Sequence, residues 1–278
     1  MKIGTALGLL SPKYWLDVAI QADQLGFHSL WIPDHLIFPL HMSGSPFSGA
    51  DHPPIPPQTQ LFDVFSYLSF IAAKTNRIRL GTNVYLLGLR HPFIAARAVQ
   101  TLDILSQGRA DVGVGAGWLR EEWDVVGMSP KNRGKRFDEA LTICKRLWTE
   151  QVISHQGEFY QFDDVMFEPK PIQRPHPPVY IGGESAAALK RVVRLGDGWY
   201  GIGHTVDSVR PVLKRLRELC DSEERDFNKL TLITVGEIKT ADDVKRWQDT
   251  GIHQVIVKPW EQGRDALVGL TRFAEMFF

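Results

Sequence analysis

One stretch, residues 77–118, contains a strand, a helix and a second strand with almost nothing between them. Residues 77–85 are rich in β-forming types, and residues 92–106 carry apolar side chains at helical spacing. Gln107 and Gly108 end that helix in the usual way. The short apolar run at 111–114, bounded by glycine, is typical of a strand buried in a parallel sheet. This βαβ unit constrains the fold more than any other feature.

The same alternation runs through the chain. We predict strands at 2–8, 28–32, 77–85, 111–114, 179–181, 198–202, 230–235 and 253–257. We predict helices at 12–25, 62–74, 92–106, 134–149, 185–194, 206–224, 241–250 and from 261 onward. Eight strands, each followed by a helix, favour an α/β fold that closes as a (β/α)8 TIM barrel over an open sheet. The length of 278 residues favours one domain, 1–278.

Two insertions interrupt the pattern, one after the second strand and one after the fourth. Residues 39–60 contain six prolines and no hydrophobic period, and we interpret them as a lid because they directly follow Asp34 and His35. Residues 151–178 are irregular, with a hairpin expected near 155–158. Both insertions are candidate walls of a site.

Charge and cysteine content exclude several classes of partner. Thirty-two basic residues balance 32 acidic ones, so no overall field would attract nucleic acid or an acidic membrane. No apolar run approaches the roughly 20 residues that span a bilayer. Cys144 and Cys220 lie far apart on predicted helices, which favours unpaired thiols in a reducing compartment. We therefore expect a cytoplasmic protein that acts on a small molecule.

Two glycine-rich turns are candidate cofactor contacts. Gly182, Gly183, Glu184 and Ser185 follow a strand and open a helix, so they form either a phosphate site or a turn that only lets the helix pack. Residues 113–117 do not have the spacing of a dinucleotide fingerprint. The permissive residues at 80–84 and 113–117 would let a planar molecule lie against bare main chain.

Asp34 and His35, at the end of the second strand, form the strongest acid/base candidate. Histidine titrates near neutrality, and a neighbouring carboxylate tunes it. The alternative is a histidine that only hydrogen-bonds main chain at the barrel mouth. Trp118 either stacks on a ring or plugs the barrel, and Arg133 lies at an exposed helix entry from which it could reach an anion.

The remaining polar residues are predicted to be structural. His91 precedes a helix and is expected to cap it, and Asp197 is expected in a turn. His41, Asp51 and His52 lie in the lid, but their spacing matches no standard metal site. We therefore predict no metal.

Several tracts together resemble the luciferase-like monooxygenase superfamily, in particular its branch dependent on the deazaflavin coenzyme F420. The tracts are LGFHSLWIPDHL at 25–36, RFDEAL at 136–141, PKPIQRPHPPVYIGG at 169–183, RLGDGWY at 194–200 and the long stretch 74–123. The proline-rich lid and the sequence GWLREE at 117–122 most resemble the F420 branch. Together they cover nearly the whole chain.

The resemblance implies that the carboxyl ends of the strands hold a flavin-type ring. It places a non-proline cis peptide at Asn83–Val84 behind that ring. It implies cofactor contacts from Asp34, Asn83, Val84, Ala116, Gly117, Gly182 and Gly183. The local sequence adds Trp118, Glu184 and Ser185 as candidate contacts.

The resemblance also implies an activity, hydride transfer between F420 and a small organic substrate. His35 would give or take the accompanying proton, and Asp34 would orient it or contact the ring. The catalytic glutamate of the superfamily's sugar-phosphate dehydrogenases is replaced here by Trp118, which argues against sugar-phosphate oxidation. The alternatives are an FMN-dependent two-component monooxygenase and a non-catalytic flavin-binding protein. The resemblance further implies a homodimer or larger homo-oligomer.

Overall fold

The computed structural model describes residues 1–46 and 55–278. Eight parallel strands close into a barrel, and the neighbours around it are β1, β2, β3, β4, β7, β8, β9 and β10, with β10 paired to β1. The strands are β1 Lys2–Ala6, β2 Ser29–Ile32, β3 Arg79–Thr82, β4 Ala110–Val114, β5 Val152–Gln156, β6 Gln161–Met166, β7 Val179–Gly182, β8 Gly198–Gly201, β9 Thr231–Val235 and β10 Gln254–Val257. The predicted (β/α)8 barrel is confirmed.

The α-helices follow the strands, as in a barrel of βα units. They are α1 Trp15–Leu25, α2 Val64–Ala72, α3 Pro92–Leu105, α4 Arg120–Val125, α5 Arg133–Thr149, α6 Ala186–Leu195, α7 Val206–Ser222, α8 Ala241–Thr250 and α9 Ala266–Phe277. Helices α4 and α5 follow β4, and the insertion predicted at 151–178 contains the antiparallel β5–β6 hairpin, which confirms the predicted hairpin. The last helix begins at Ala266, five residues after the predicted start, because a 3-10 turn at Gly263–Asp265 precedes it.

Large side chains fill the barrel interior, which is therefore a packed core. Trp31 is fully buried there and packs against Tyr180 and Tyr200. Gly81 makes room for it, because a Cβ at Gly81 would overlap the indole ring. A Cβ at Gly113 would overlap the Thr82 carbonyl oxygen of the neighbouring strand.

Strand β3 is shorter than predicted at both ends. The peptide between Asn83 and Val84, just beyond it, is cis, as the family resemblance implied. The chain rejoins the sheet at Tyr85, which forms a single bridge to Val114.

The helices cover the outside of the barrel with apolar faces. In α5, residues at helical spacing are buried against the barrel: Phe137, Ala140, Leu141, Cys144, Leu147 and Trp148. Cys144 and Cys220 are both buried and unpaired, as predicted. Within residues 1–46 and 55–278, no helix combines the length and apolar character needed to cross a membrane.

Helix α3 offers a matched test of this packing. Leu102 is 1% exposed, whereas Leu105, one turn later, is 59% exposed. We expect Leu102→Ala to lower the free energy of unfolding by about 2–5 kcal/mol, because it removes a buried side chain and leaves a cavity. Leu105→Ala should change it by less than about 0.5 kcal/mol. Urea unfolding of both variants measures the difference, and equal losses would contradict the packing described here.

Candidate active site

A cavity of about 510 Å³ opens at the carboxyl ends of the barrel strands. It brings together ten of the eleven residues predicted for the site: Asp34, His35, Asn83, Val84, Ala116, Gly117, Trp118, Gly182, Gly183 and Ser185. Glu184 instead lines a smaller adjoining space of about 370 Å³, which shares Gly183 and Ser185 with the main cavity. Active sites of barrel enzymes lie at this end.

His35 is held by a carboxylate that the sequence analysis did not identify. Its Nδ1 lies 2.8 Å from Oε2 of Glu122, in the first turn of α4. The His35 side chain is 11% exposed and the Glu122 side chain 1%. In the sequence, Glu122 is marked only by the tract 117–122. That tract resembles the F420 branch and gives no indication of a contact between Glu122 and His35.

Asp34, next to His35, is engaged in a buried ion pair. Arg90 donates to its Oδ1 at 2.6 Å, and the Leu86 N–H donates to Oδ2 at 2.9 Å. Burial raises the pKa of the Asp34 carboxyl above its ordinary value, and Arg90 and the Leu86 N–H act against that rise. Both carboxylate oxygens have protein partners. These contacts hold Asp34, just after β2, against the segment that follows β3.

The floor of the cavity is bare main chain around Val84. A Cβ at Gly115 would lie 2.6 Å from Val84 Cγ2, and one at Gly182 would lie 2.9 Å from Val84 Cγ1. Only glycine fits at these two positions without displacing Val84. The Asn83 side chain interacts with the buried Tyr200 hydroxyl beneath the floor. The floor itself is formed by Val84 and by glycine main chain, and that surface fits a flavin-type ring.

The amino end of α6 lies at one end of the cavity, and a helix start of this kind favours an anion. The Ser185 hydroxyl accepts from the Ala188 N–H at 3.1 Å, so it caps the helix. The first-turn N–H groups of residues 186 and 187 have no partner within the helix and are available to an anion, whose charge the helix dipole also favours. Gly183 has φ +104°, a conformation that side chains disfavour.

The Glu184 carboxylate is directed away from this helix end. Its Oε1 lies 2.8 Å from Nε2 of His204, close enough for an ion pair although not aligned as a hydrogen bond. The Glu184 carbonyl accepts from Arg215 at 3.2 Å. Glu184, the acidic side chain within the predicted phosphate motif, is thus paired with His204.

Three cationic side chains line the cavity near the same end. Lys131 and Arg133 come from the entry to α5. Arg191 comes from α6 and is paired with Asp138. Burial lowers the pKa of Arg133, and the neighbouring Arg120 and Arg191 lower it further. Arg133 therefore lies on the cavity wall among other positive charges, a setting that favours an anion.

The side of the cavity formed by the chain before α2 is apolar. Leu9, Trp15, Phe38, Ile55 and Phe62 line it. Among the described lining residues from 8 to 62, Asp34 and His35 alone are ionisable. The Trp118 ring stands edge-on to His35, with centroids 5.9 Å apart. The part of the predicted lid at 47–54, including Asp51 and His52, lies outside the described residues.

The residues predicted to be structural have structural contacts. His91 caps α3 by accepting from the Phe93 N–H, and Asp197 accepts from the Val179 N–H. Among residues 1–46 and 55–278, no three histidine, cysteine, aspartate or glutamate side chains are grouped so that they could hold a metal ion.

The chain is similar to known proteins of one family. A profile of the luciferase-like monooxygenases matches residues 2–263. An uncharacterised protein of Mycobacterium tuberculosis is 32% identical over 91% of this chain and 90% of its own. An F420-dependent glucose-6-phosphate dehydrogenase of Kineococcus radiotolerans is 33% identical over 68% of this chain and 52% of its own. An FMNH2-dependent dimethylsulfone monooxygenase of Pseudomonas putida is 33% identical over 45% of this chain and 36% of its own.

Solved structures share the fold. An F420-dependent secondary alcohol dehydrogenase, solved with an F420–acetone adduct, superposes with a TM-score of 0.79 at 18% identity and covers 99% of this chain and 98% of its own.

The buried ion pair between Arg90 and Asp34 gives a test of the site's architecture. Arg90→Met keeps an apolar stem but leaves the Asp34 carboxylate buried without its cation. We expect a loss of about 3–5 kcal/mol in the free energy of unfolding near neutral pH. Burial raises the folded-state pKa of Asp34, so the protonated acid is favoured in the folded variant, and the deficit should shrink as the pH falls.

The exposed pair of Arg194 and Glu223 supplies the control. Arg194→Met should leave stability nearly unchanged, because water screens an exposed pair. Chemical unfolding of both variants between about pH 7 and pH 4 makes the comparison. A deficit in Arg90→Met that grows as the pH falls would contradict the placement of Asp34.

Proposed function

The chain belongs to the luciferase-like monooxygenase family, and we propose that within it the protein transfers a hydride between coenzyme F420 and a small organic substrate. The observation that carries this proposal is a histidine held by a buried carboxylate, in the cavity whose floor is bare main chain. When bound, F420 supplies the carbon that accepts or donates the hydride. The protein supplies orientation, a proton and exclusion of water.

Each part of the cavity has a separate role in this proposal. The glycine-rich floor around Val84 supports the ring, and the N–H groups at the start of α6 hold the phosphate. Trp118 and the apolar side close the site against water. His35 exchanges the proton that accompanies the hydride. Among the described residues no lysine or arginine pairs with it, whereas Asp34, the other acid/base candidate, is paired with Arg90.

The apolar side also supports a substrate class. The described lining residues from 8 to 62 offer no free cation, so a phosphorylated or carboxylated substrate would be buried there without a partner. The cations of the cavity lie at its other end, beside the helix that holds the phosphate of the coenzyme. We therefore propose an uncharged, mainly apolar substrate, in agreement with Trp118 at the position of the sugar-phosphate dehydrogenases' glutamate.

The space beyond the phosphate site favours F420 over FMN. FMN ends at its phosphate, whereas F420 continues past it as a chain. The adjoining space of about 370 Å³ begins at Gly183 and Ser185 and is lined by Arg215 and by Glu184, whose carboxylate is paired with His204. An FMN-dependent monooxygenase is the second candidate, because the ring floor and the phosphate end suit both coenzymes.

A side-by-side fluorescence titration of the purified protein with F420 and with FMN tests the proposal. We expect tight binding of F420 and weaker binding of FMN. Preference for FMN, with oxygen consumed when reduced FMN and a candidate substrate are added, would make the monooxygenase the better assignment. Binding of neither would overturn the cofactor assignment.

A pair of glycine variants locates the binding site. Gly183→Ala and Gly127→Ala each place a side chain at positive φ, and Gly127 lies in an exposed turn with no atom within 4 Å of the new Cβ. Gly127→Ala should lose about 1–2 kcal/mol of stability. Gly183→Ala should lose more, because its Cβ would also lie 3.2 Å from the Ala188 Cβ. We expect only Gly183→Ala to weaken F420 binding, by roughly tenfold, because it also disturbs the approach of phosphate to the helix. Equal affinities in the two variants would place the phosphate elsewhere.

A further inference from the structure

Glu122 is a buried carboxylate whose contacts all converge on the segment that carries His35. Its Oε1 accepts from the Leu36 N–H at 2.6 Å and, more weakly, from the Ile37 N–H at 3.4 Å. Its Oε2 faces His35 Nδ1 at 2.8 Å. No lysine or arginine among the described residues pairs with it. The carboxylate thus acts on His35 and on the main chain beside it.

These contacts determine which nitrogen of His35 carries hydrogen. An ionised carboxylate can only accept hydrogen bonds, so Nδ1 must donate, and in the neutral ring Nε2 is then an acceptor. Phe38 and Trp118 pack on the ring, with centroids 4.6 and 5.9 Å from its own, and limit its rotation. Nε2 has no hydrogen-bond partner among the described residues and is the nitrogen left for the cavity that His35 lines.

We propose that Glu122 is a positioning residue that holds His35 as the Nδ1–H tautomer and makes Nε2 a base aimed at a substrate hydroxyl. In the oxidative direction, the hydroxyl proton passes to Nε2. The bond between the reacting carbon and its hydrogen breaks, and the hydride, which carries both electrons of that bond, passes to the coenzyme. The alcohol thereby becomes a carbonyl compound, and the resulting imidazolium is stabilised by the Glu122 carboxylate. In the reductive direction, the same imidazolium returns the proton to the carbonyl oxygen.

This role in catalysis rests on the proposed function, whereas the assignment of the tautomer does not. It also narrows the substrate to compounds that carry a hydroxyl or carbonyl group on the reacting carbon. A purely structural role, in which Glu122 only ties down the main chain at 36–37, makes a different prediction. Under that role the tautomer of His35 would not depend on Glu122.

Glu122→Gln separates the two roles. The amide keeps the size of the side chain and an oxygen for the Leu36 N–H, but it places an NH2 group opposite His35 Nδ1. Nδ1 must then accept, and the hydrogen moves to Nε2. Glu121→Gln is the matched control, because Glu121 is the adjacent helix residue and its carboxylate bonds Ser43 instead of His35.

The experiment is nitrogen-edited NMR of the histidine rings in the protein without added coenzyme, at about pH 9, where an ordinary imidazole is neutral. The His35 signal is assigned by its loss in His35→Gln. We expect the Nδ1–H tautomer in the wild type and in Glu121→Gln, and the Nε2–H tautomer in Glu122→Gln. A wild-type His35 in the Nε2–H form would overturn the proposal even if Glu122→Gln failed to fold.

An unchanged tautomer in a folded Glu122→Gln variant would likewise overturn the proposal and leave Glu122 a structural residue. Adding F420 and FMN to the same wild-type sample separates this result from the proposed function. The expected tautomer without binding of either coenzyme would leave the pair intact and reject the cofactor assignment. The expected tautomer with F420 bound supports both.

Discussion

The parallel pairing of β4 with β7 is the constraint on which the site depends. In sequence, α4, α5 and the β5–β6 hairpin separate these strands, yet they lie side by side in register, with Gly113 opposite Tyr180. The intervening segment therefore starts at the carboxyl end of β4, at the mouth of the barrel, before α5 packs on the outside. It thereby brings Glu122 to His35, and it brings Arg133 near the start of α6. Closure of the barrel by β1 and β10 then sets the apolar side opposite the basic end.

The packed interior of the barrel gives the cavity a firm floor. Trp31, Tyr180 and Tyr200 fill the core beneath it, and Val84 packs on top of this cluster. The glycines at 115 and 182 flank Val84 closely, so a larger residue at either position would shift the valine. A ring that lies on this surface contacts main chain and one apolar side chain. The floor therefore constrains the shape of the ring more than its chemistry. The two ends of the cavity supply the chemistry.

Hydrophobic periodicity was sufficient to predict the eight barrel strands, most helices and the two insertions, because burial on a barrel imposes strict spacing. Strand β3 was predicted to be too long, because a β-rich sequence does not show where the chain leaves the ladder. The cis bond at Asn83–Val84 was predicted from the family resemblance alone. Ten of the eleven predicted site residues share one cavity, since strand ends in a parallel barrel converge. Their individual roles stay predictions, as does the oligomeric state.

Glu122 could not be identified in this way. It lies in a six-residue helix, 87 positions from His35, and no local pattern connects the two. The same is true of Arg90, which pairs with Asp34 across 56 positions. Charged residues on a short helix, such as Glu122, or in a loop, such as Arg90, are ordinarily solvent-exposed. Only the tertiary structure shows that these two lie against acid/base candidates.

The decisive measurement is a crystal structure of the protein with F420 bound. We expect the ring on the floor formed by Val84 and Gly115, its phosphate at the start of α6, and the His35 ring bordering the space above its reactive carbon. A ring bound elsewhere, or one whose reactive carbon faces the floor and is closed to the apolar side, would contradict this expectation.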